Sequence, residues 1–174
     1  QELEMRSKEG KRFTWLNGLF GFYQTGKRMV LYTTQKDYDE PSYGLAAYHQ
    51  STLKDFLLKK LSLTVGARFD YEKAKQDYIV WKLSADQKEQ TTRLNDSESF
   101  TQFTPKVSLQ YQFDASNMIY ATTTRGYKTG GFNISFSTED ERTYSPEYSW
   151  NYEVGGRFSA FNNRLYGDLA LFYI

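Results

Sequence analysis

The sequence predicts an all-β protein: an antiparallel, up-and-down β-barrel segment of the kind that crosses a membrane. Three observations predict it. Strands carry one apolar and one polar face, aromatic residues are abundant, and short and long connections alternate along the chain. The alternation of faces is cleanest over residues 60–72. Leu61, Leu63, Val65, Ala67, Phe69 and Tyr71 fall on one side, and Ser62, Thr64, Gly66, Arg68, Asp70 and Glu72 on the other. Successive side chains point to opposite sides of a strand, so this stretch is greasy on one face and charged on the other. Its length suits a strand that crosses a bilayer at a tilt.

Composition bounds the reading. A chain of 174 residues fits one domain. A net charge of +1 gives no global argument for nucleic acid, and the absence of cysteine excludes disulfides and thiolate metal sites. Aromatics make up 18% of the residues, with 15 Tyr and 13 Phe. Outer-membrane barrels concentrate such residues in girdles at both interfaces. No run of 18 apolar residues exists, so no transmembrane helix is expected. A barrel is still compatible with the low mean hydropathy, because half of each strand faces a polar lumen. The chain opens at Gln1 and closes at Ile174, each inside a strand-like stretch and without a leader pattern, so it reads as part of a longer chain.

Eight strands are expected, near 2–6, 13–23, 43–51, 60–72, 99–113, 118–126, 148–159 and 164–174. In 105–113, Val107, Leu109, Tyr111 and Phe113 oppose Lys106, Ser108, Gln110 and Gln112. In 151–158, Tyr152, Val154 and Phe158 oppose Asn151, Glu153 and Arg157. In 165–173, Leu165, Leu169, Leu171 and Tyr173 oppose Asp168 and its neighbours. Ser51–Lys60 carries Leu53, Phe56 and Leu57 at helical spacing, but the strict alternation that follows favours a turn. Short connections are expected near 7–12, 52–59, 114–117 and 160–163, with turn residues in each. Long ones are expected near 24–42, 73–98 and 127–147. That alternation of lengths is the signature of tight turns on one rim and long loops on the other. The loop at 73–98, with Lys73, Lys75, Asp77, Lys82, Asp86, Lys88, Glu89, Arg93 and Asp96, reads as a solvated connection, with a ligand-gathering lid as the sharper alternative.

The most distinctive segment is 120–133, Tyr-Ala-Thr-Thr-Thr-Arg-Gly-Tyr-Lys-Thr-Gly-Gly-Phe-Asn. It reads as a strand leaving a barrel into a glycine-rich turn, where Gly130 and Gly131 permit positive φ and close backbone approach. It lacks the spacing and the Gly-Lys-Ser/Thr ending of a phosphate-cradling loop. An RNA-binding box would need Gly or Ala where Lys128 stands. His49, the only histidine, makes no metal site alone and is expected at an interface or in the lumen. No arranged catalytic motif appears, so an enzyme, a cofactor and a metal are not expected.

Arg125-Gly126-Tyr127-Lys128-Thr129-Gly130-Gly131-Phe132-Asn133, followed by Pro146-Glu147 and Asn151-Tyr152-Glu153-Val154-Gly155, resembles the barrel of TonB-dependent outer-membrane receptors. Gly66-Ala67-Arg68-Phe69-Asp70-Tyr71 and the hairpin from Phe158 to Ile174 are similar to strands of the same family. The resemblance covers nearly the whole chain except the loops. It implies that residues 1–174 are about eight strands of a barrel of roughly 22, without the plug domain. It further implies a bacterial outer-membrane location, contact with outer-membrane lipid, and coupling to the TonB complex through a plug. The implied function is import of a scarce nutrient, most often a ferric siderophore. Arg125, Tyr127, Lys128, Gly130, Gly131, Phe132 and Asn133 are then expected at a ligand-binding rim, and Arg68, Asp70, Glu153, Arg157 and Asp168 in the lumen. Two other readings stay open: a complete eight-stranded anchor or adhesin barrel, and a soluble lipocalin-like binder with its apolar faces turned inward.

Overall fold

The structure, a computed structural model, describes residues 1–85 and 87–174; Asp86, expected in a charged loop, lies outside the described residues. Ten strands occur in chain order: β1 (Glu2–Arg6), β2 (Phe13–Leu31), β3 (Thr34–Lys54), β4 (Leu61–Leu83), β5 (Lys88–Gln112), β6 (Met118–Lys128), β7 (Gly131–Phe132), β8 (Thr143–Tyr144), β9 (Glu147–Ala160) and β10 (Leu165–Tyr173). A single 3-10 turn, Glu139–Arg142, precedes β8. Eight strands form one antiparallel sheet in the order β1-β2-β3-β4-β5-β6-β9-β10, and β7 pairs only with β8. Every neighbour in the large sheet is also the next long strand in the chain. The sheet is therefore an up-and-down meander, as expected, and it is open: no ladder joins β1 to β10 among the described residues.

Register carries each face across the sheet. Glu4 opposes Gly18, Gly18 opposes Tyr48, and Tyr48 opposes Arg68, which opposes Thr104. Leu19, Ala47, Phe69 and Phe103 form the neighbouring row on the other face. The apolar face is bounded by large, mostly aromatic side chains ten residues apart: Phe13 and Tyr23, Tyr43 and Leu53, Leu61 and Tyr71, Phe103 and Phe113, Tyr148 and Phe158. Ten residues at about 3.3 Å each span roughly 33 Å along the strand. Tilted by about 40°, that is a band about 25 Å tall, the height of the apolar belt of an outer-membrane barrel.

Two of the expected long loops are corrected. Residues 24–31, 34–42, 73–83 and 88–98 are strand, not loop: β2 and β3 continue to a tight turn at 32–33, and β4 and β5 run on to Leu83 and from Lys88. Only 127–147 contains a long connection, and even there β6 persists to Lys128. The two rims therefore differ in strand reach rather than in loop length. The reason is physical. Above the band neither face needs to be uniformly apolar, so the alternation that marks a strand in the band is not demanded. Polar cross-strand pairs replace it: Lys27–Asp39 at 3.7 Å, Arg93–Asp77 at 2.6 Å, and the Trp81 indole donating to Asp37 at 2.7 Å.

The short turns follow local chemistry. Gly10 adopts φ +83° in the β1–β2 turn. Phe161, Asn162 and Asn163 all take left-handed values between β9 and β10, where asparagine tolerates that conformation best. Ser51–Lys60 contains no helix; β3 runs to Lys54 and a turn follows.

Burial is uneven, as a single sheet dictates. The buried side chains Tyr38, Ser42, Ala46, Asp70, Gln76, Tyr78, Phe100 and Gln102 all stand on the polar face of β3–β5. The apolar face is bare: Leu45 is 65% exposed and Leu171 70%.

Candidate functional site

What covers the polar face is the segment between β6 and β9. β6 pairs with β5 only as far as Thr124 opposite Lys106, whereas its ladder with β9 continues to Lys128 opposite Glu147. Residues 129–146 leave that ladder and cross back over the tops of β5, β4 and β3 as a strap. Three anchors hold it. Tyr38 of β3 donates a hydrogen bond to the Ile134 carbonyl at 2.7 Å. The Tyr78 ring of β4 lies against Tyr38, tilted by 38° at a centroid distance of 4.9 Å, and meets the Phe136 ring edge-on at 5.6 Å. Arg142, 5% exposed, reaches Asp96 of β5 at 3.3 Å and lies 6.0 Å from both the Phe132 and Phe136 rings.

The strap is also knitted internally. The Asn133 amide donates to the Arg142 carbonyl at 2.8 Å, its side-chain NH2 to the Glu141 carbonyl at 2.7 Å, and the Ser137 amide to the Glu141 carboxylate at 2.9 Å. Burial is the main reason that the Tyr38 phenol is pushed up to about 12. It is therefore a neutral donor throughout the physiological range. Seating is incomplete in polar terms: Nε and Nη2 of Arg142, Oε1 of Gln76 and Oγ1 of Thr129 are buried without a protein partner.

The expected rim residues separate. Gly130, Gly131, Phe132 and Asn133 belong to the strap. Neither glycine takes a positive φ, contrary to one of the two sequence expectations; close approach is what they provide. A Cβ on Gly130 would stand 2.5 Å from the Phe100 ring and the Tyr144 carbonyl, and one on Gly131 2.7 Å from the Tyr144 hydroxyl. Lys128 sits 4.0 Å from Glu147, at the lip of a polar cavity of about 840 Å³ that Arg28, Glu40, Glu72 and Asn133 also line. Arg125 is in register with Trp150, and its guanidinium lies 4.1 Å from the Tyr148 ring centroid, so it belongs to the aromatic rim rather than to this cavity. Tyr127 lies near the Asp70 carboxylate.

The five residues expected in the lumen fall on one face of the sheet, the face that the strap covers. Arg68 and Asp70 pair at 2.8 Å and Arg157 and Asp168 at 3.1 Å, while Glu153 accepts from the Tyr120 hydroxyl. His49 is on the other, apolar face, opposite Asn17 and Ala67. Its ring nitrogens meet Asn17 and Ser51 at 2.7 and 2.8 Å. Sequence reasoning missed Tyr38, Tyr78 and Arg142. Tyr78 opens the run Tyr78-Ile79-Val80-Trp81 of β-formers, which was a usable signal; Tyr38, between Asp37 and Asp39, and Arg142, after Glu139, Asp140 and Glu141, stood in charge runs that read as solvent-facing.

The strap and its anchors cover the upper part of the polar face. Comparison with known proteins places it. The family described as "TonB dependent receptor-like, beta-barrel" matches residues 8–174. Among solved structures, the ferric yersiniabactin uptake receptor FyuA from Yersinia pestis superposes with a TM-score of 0.72 at 20% identity, over 98% of this chain and 27% of that one. The closed form of the ferric-catecholate import receptor Fiu from E. coli K12 superposes with a TM-score of 0.64 at 13% identity, over 92% of this chain and 31% of that one. The chain thus spans about a third or less of the receptors it matches. It belongs to the TonB-dependent receptor β-barrel family.

Proposed function

We propose that this chain is a stretch of the barrel wall of an outer-membrane receptor that imports a ferric siderophore, energised through TonB. The observation that carries the reading is the two-faced meander: an apolar band of bilayer height on one side, and a polar face covered by an inward strap on the other. In that arrangement outer-membrane lipid meets the apolar face. The ligand enters past the strap and Lys128, and a plug domain, which links the receptor to TonB, packs against Arg68, Asp70, Glu153, Arg157 and Asp168. FyuA and Fiu, the two relatives above, carry ferric yersiniabactin and ferric catecholates. The cargo of this receptor is proposed by that kinship. No bond of the cargo is broken, so the role is transport rather than catalysis.

An eight-stranded anchor is less well supported, since closure would need a β1–β10 ladder. A soluble binder would need cover for an apolar face that carries Phe69 at 52% and Val154 at 61% exposure.

The test uses the whole receptor that contains this chain, expressed in cells stripped of their own siderophore receptors, with and without TonB. TonB-dependent accumulation of radioactive iron from at least one ferric siderophore is expected. Uptake of cobalamin, haem or a sugar with no iron complex accepted would overturn the cargo. Absence from the outer-membrane fraction would overturn the barrel reading itself.

A further inference from the structure

We infer that residues 129–136 have a second seat, the free upper edge of β5, where they pair as a continuation of β6. The strap is then a hairpin tip folded inward at a hinge. Such a switch belongs to the strand meander and is independent of the cargo. Three separate features support it.

The first is an unguarded edge. Gln112 gives its amide to the Lys60 carbonyl, on the β4 side, at 3.0 Å. Even-numbered residues of β5 therefore bond towards β4, and odd-numbered ones face β6. The β5–β6 ladder stops at Lys106 opposite Thr124, because the next odd residue, Pro105, has no N–H to give. From Phe103 up to Arg93 the odd-numbered backbone groups meet no strand on that side among the described residues; the Phe103 carbonyl is reached by the Arg125 guanidinium at 3.5 Å. Since β6 is the next strand of the meander, no other barrel strand fits between the two. Asn95, Ser97, Ser99, Thr101 and Phe103 are exposed and uncharged, without the lysines that blunt an edge.

The second is register. Lys128 of β6 opposes Glu147 of β9. Beyond Thr129-Gly130 and Ser145-Pro146, Gly131 opposes Tyr144 and Phe132 opposes Thr143. That is the same pairing, three residues on along one strand and three back along the other. The strap thus begins as the β6–β9 hairpin, bent at those four residues. Unbent, and continued from Lys106 opposite Thr124, it lays Phe100 beside Gly130, Ser97 beside Asn133 and Asn95 beside Ser135.

The third is a strand pattern left unused. Phe132-Asn133-Ile134-Ser135-Phe136-Ser137 alternates apolar and polar, yet β7 ends at Phe132. On the extended ladder Phe136 comes beside Leu94, the neighbour of Tyr78, whose ring it already meets. Tyr127, which lies near the Asp70 carboxylate in the strap state, comes beside Phe103 and Tyr148 in the aromatic rim. Pairing lifts Phe132, Asn133 and Ile134 off the polar cavity of about 840 Å³. One segment either covers that cavity or adds a strand to the wall.

This chain contains no cysteine, so an introduced pair can report the second state. The full receptor, freed of any other cysteine and carrying Asn95→Cys with Ser135→Cys, is oxidised in whole cells, and the bond is read by peptide mass spectrometry. In the strap state Ser135 lies over the polar face, between Ile134 on Tyr38 and Phe136 on Tyr78, whereas Asn95 shares the other face with Phe103. A disulfide needs Cα atoms within about 7 Å, so it reports the paired state. It should form at least tenfold faster than with Ser99→Cys and Ser135→Cys, which the register leaves four residues out of line. Tyr38→Phe should speed it about fivefold by loosening the strap. Gly130→Ala should speed it too, because a Cβ there strikes Phe100 and Tyr144 in the strap state; where Gly130→Ala fails to assemble, Tyr38→Phe carries the comparison. Equal rates for the two pairs would mean a loose loop with no seat on β5. Absence of the disulfide would leave the edge unoccupied, and a disulfide between two receptors would give it to a second copy. Each of these three results overturns the proposal.

Discussion

Deleting either partner of the Arg142–Asp96 pair should have opposite consequences, because only one of the two is buried. Arg142 is 5% exposed, whereas the Asp96 side chain is 42% exposed. Asp96→Ala leaves a buried guanidinium with no carboxylate. Stripping a partner from a fully buried pair costs about 3–5 kcal/mol, and the water around Asp96 lowers this to about 1–2 kcal/mol. Arg142→Met removes the cation together with Nε and Nη2, two buried donors that have no partner. Leaving each unpaired costs about 1–3 kcal/mol, against one lost 3.3 Å contact and two ring contacts worth about 0.5–1 kcal/mol apiece. The methionine variant should therefore seat the strap at least as well as the parent. Native-state hydrogen exchange at the Asn133 amide, which is bonded to the Arg142 carbonyl, reads this out. Asp96→Ala should speed exchange about five- to thirtyfold, and the double variant should match Arg142→Met alone. If Arg142→Met opens the strap as much as Asp96→Ala does, the pair is a net stabiliser and the reasoning fails.

Three further outcomes follow from the geometry. Tyr38→Phe should weaken the strap by about 1 kcal/mol, through loss of the donor to Ile134. In the parent, seating should hold below the ordinary tyrosine value near pH 10 and decline as pH rises towards about 12, because the folded value is the raised one; phenolate absorbance read beside exchange tests both. In the β5–β6 turn the Ser116 amide, then the Asn117 side chain, hold the Asp114 carboxyl below its usual value. The turn is fully ordered above the unfolded carboxylate value of about 4 and loosens as pH falls through the lowered one. A protection factor at the Ser116 amide, with the intrinsic exchange rate at each pH divided out, that does not change between pH 6 and pH 2 would refute this. A Cβ on Gly18 would stand 1.9 Å from the Tyr48 ring. Gly18→Ala should thus destabilise the whole receptor by about 1–3 kcal/mol in denaturant titration, with Tyr48→Ala relieving it; an unchanged midpoint in Gly18→Ala would count against the close packing.

How much the sequence revealed depended on which solvents a strand divides. On the barrel reading proposed above, one face inside the band meets lipid and the other water, which accounts for the strict alternation of residues 61–71, legible to within a residue or two. Above it, Lys36, Asp37 and Asp39, or Lys73, Lys75 and Asp77, meet water on one face and the strap on the other. There the hydrophobic period vanishes although the ladder does not. Tyr38 and the run Tyr78-Ile79-Val80-Trp81 were the remaining strand signals. The strap motif at 125–133 was found by its pattern, but its direction was not. Which way a loop folds depends on Phe100, Tyr78 and Tyr38, which are 33 to 95 residues from Asn133 and unrelated to it by any local period.

A single sheet has no second layer to pack against, so neighbouring strands, lipid and the strap must divide the work that a hydrophobic core does elsewhere. The face pattern records this division. Large apolar side chains stand where lipid is expected, and on the polar face aromatic rings lie flat over glycines: Tyr48 over Gly18, Phe22 over Gly44, Tyr120 over Gly155. Such pairs bury ring surface within the thickness of one sheet and leave the lumen open, and the Tyr48 hydroxyl still reaches Glu2 at 2.6 Å. Most of the buried residues, Tyr38, Ser42, Gln76, Tyr78 and Phe100, gather where β3–β5 rise above the band, and that is where the strap lies. The strand extensions therefore have a purpose beyond reach: they provide a wall tall enough for residues 129–146 to fold inward against. A loop held against that wall by the Tyr38, Tyr78 and Arg142 contacts, with some of its buried polar atoms unpaired, can be released without breaking the strand ladders.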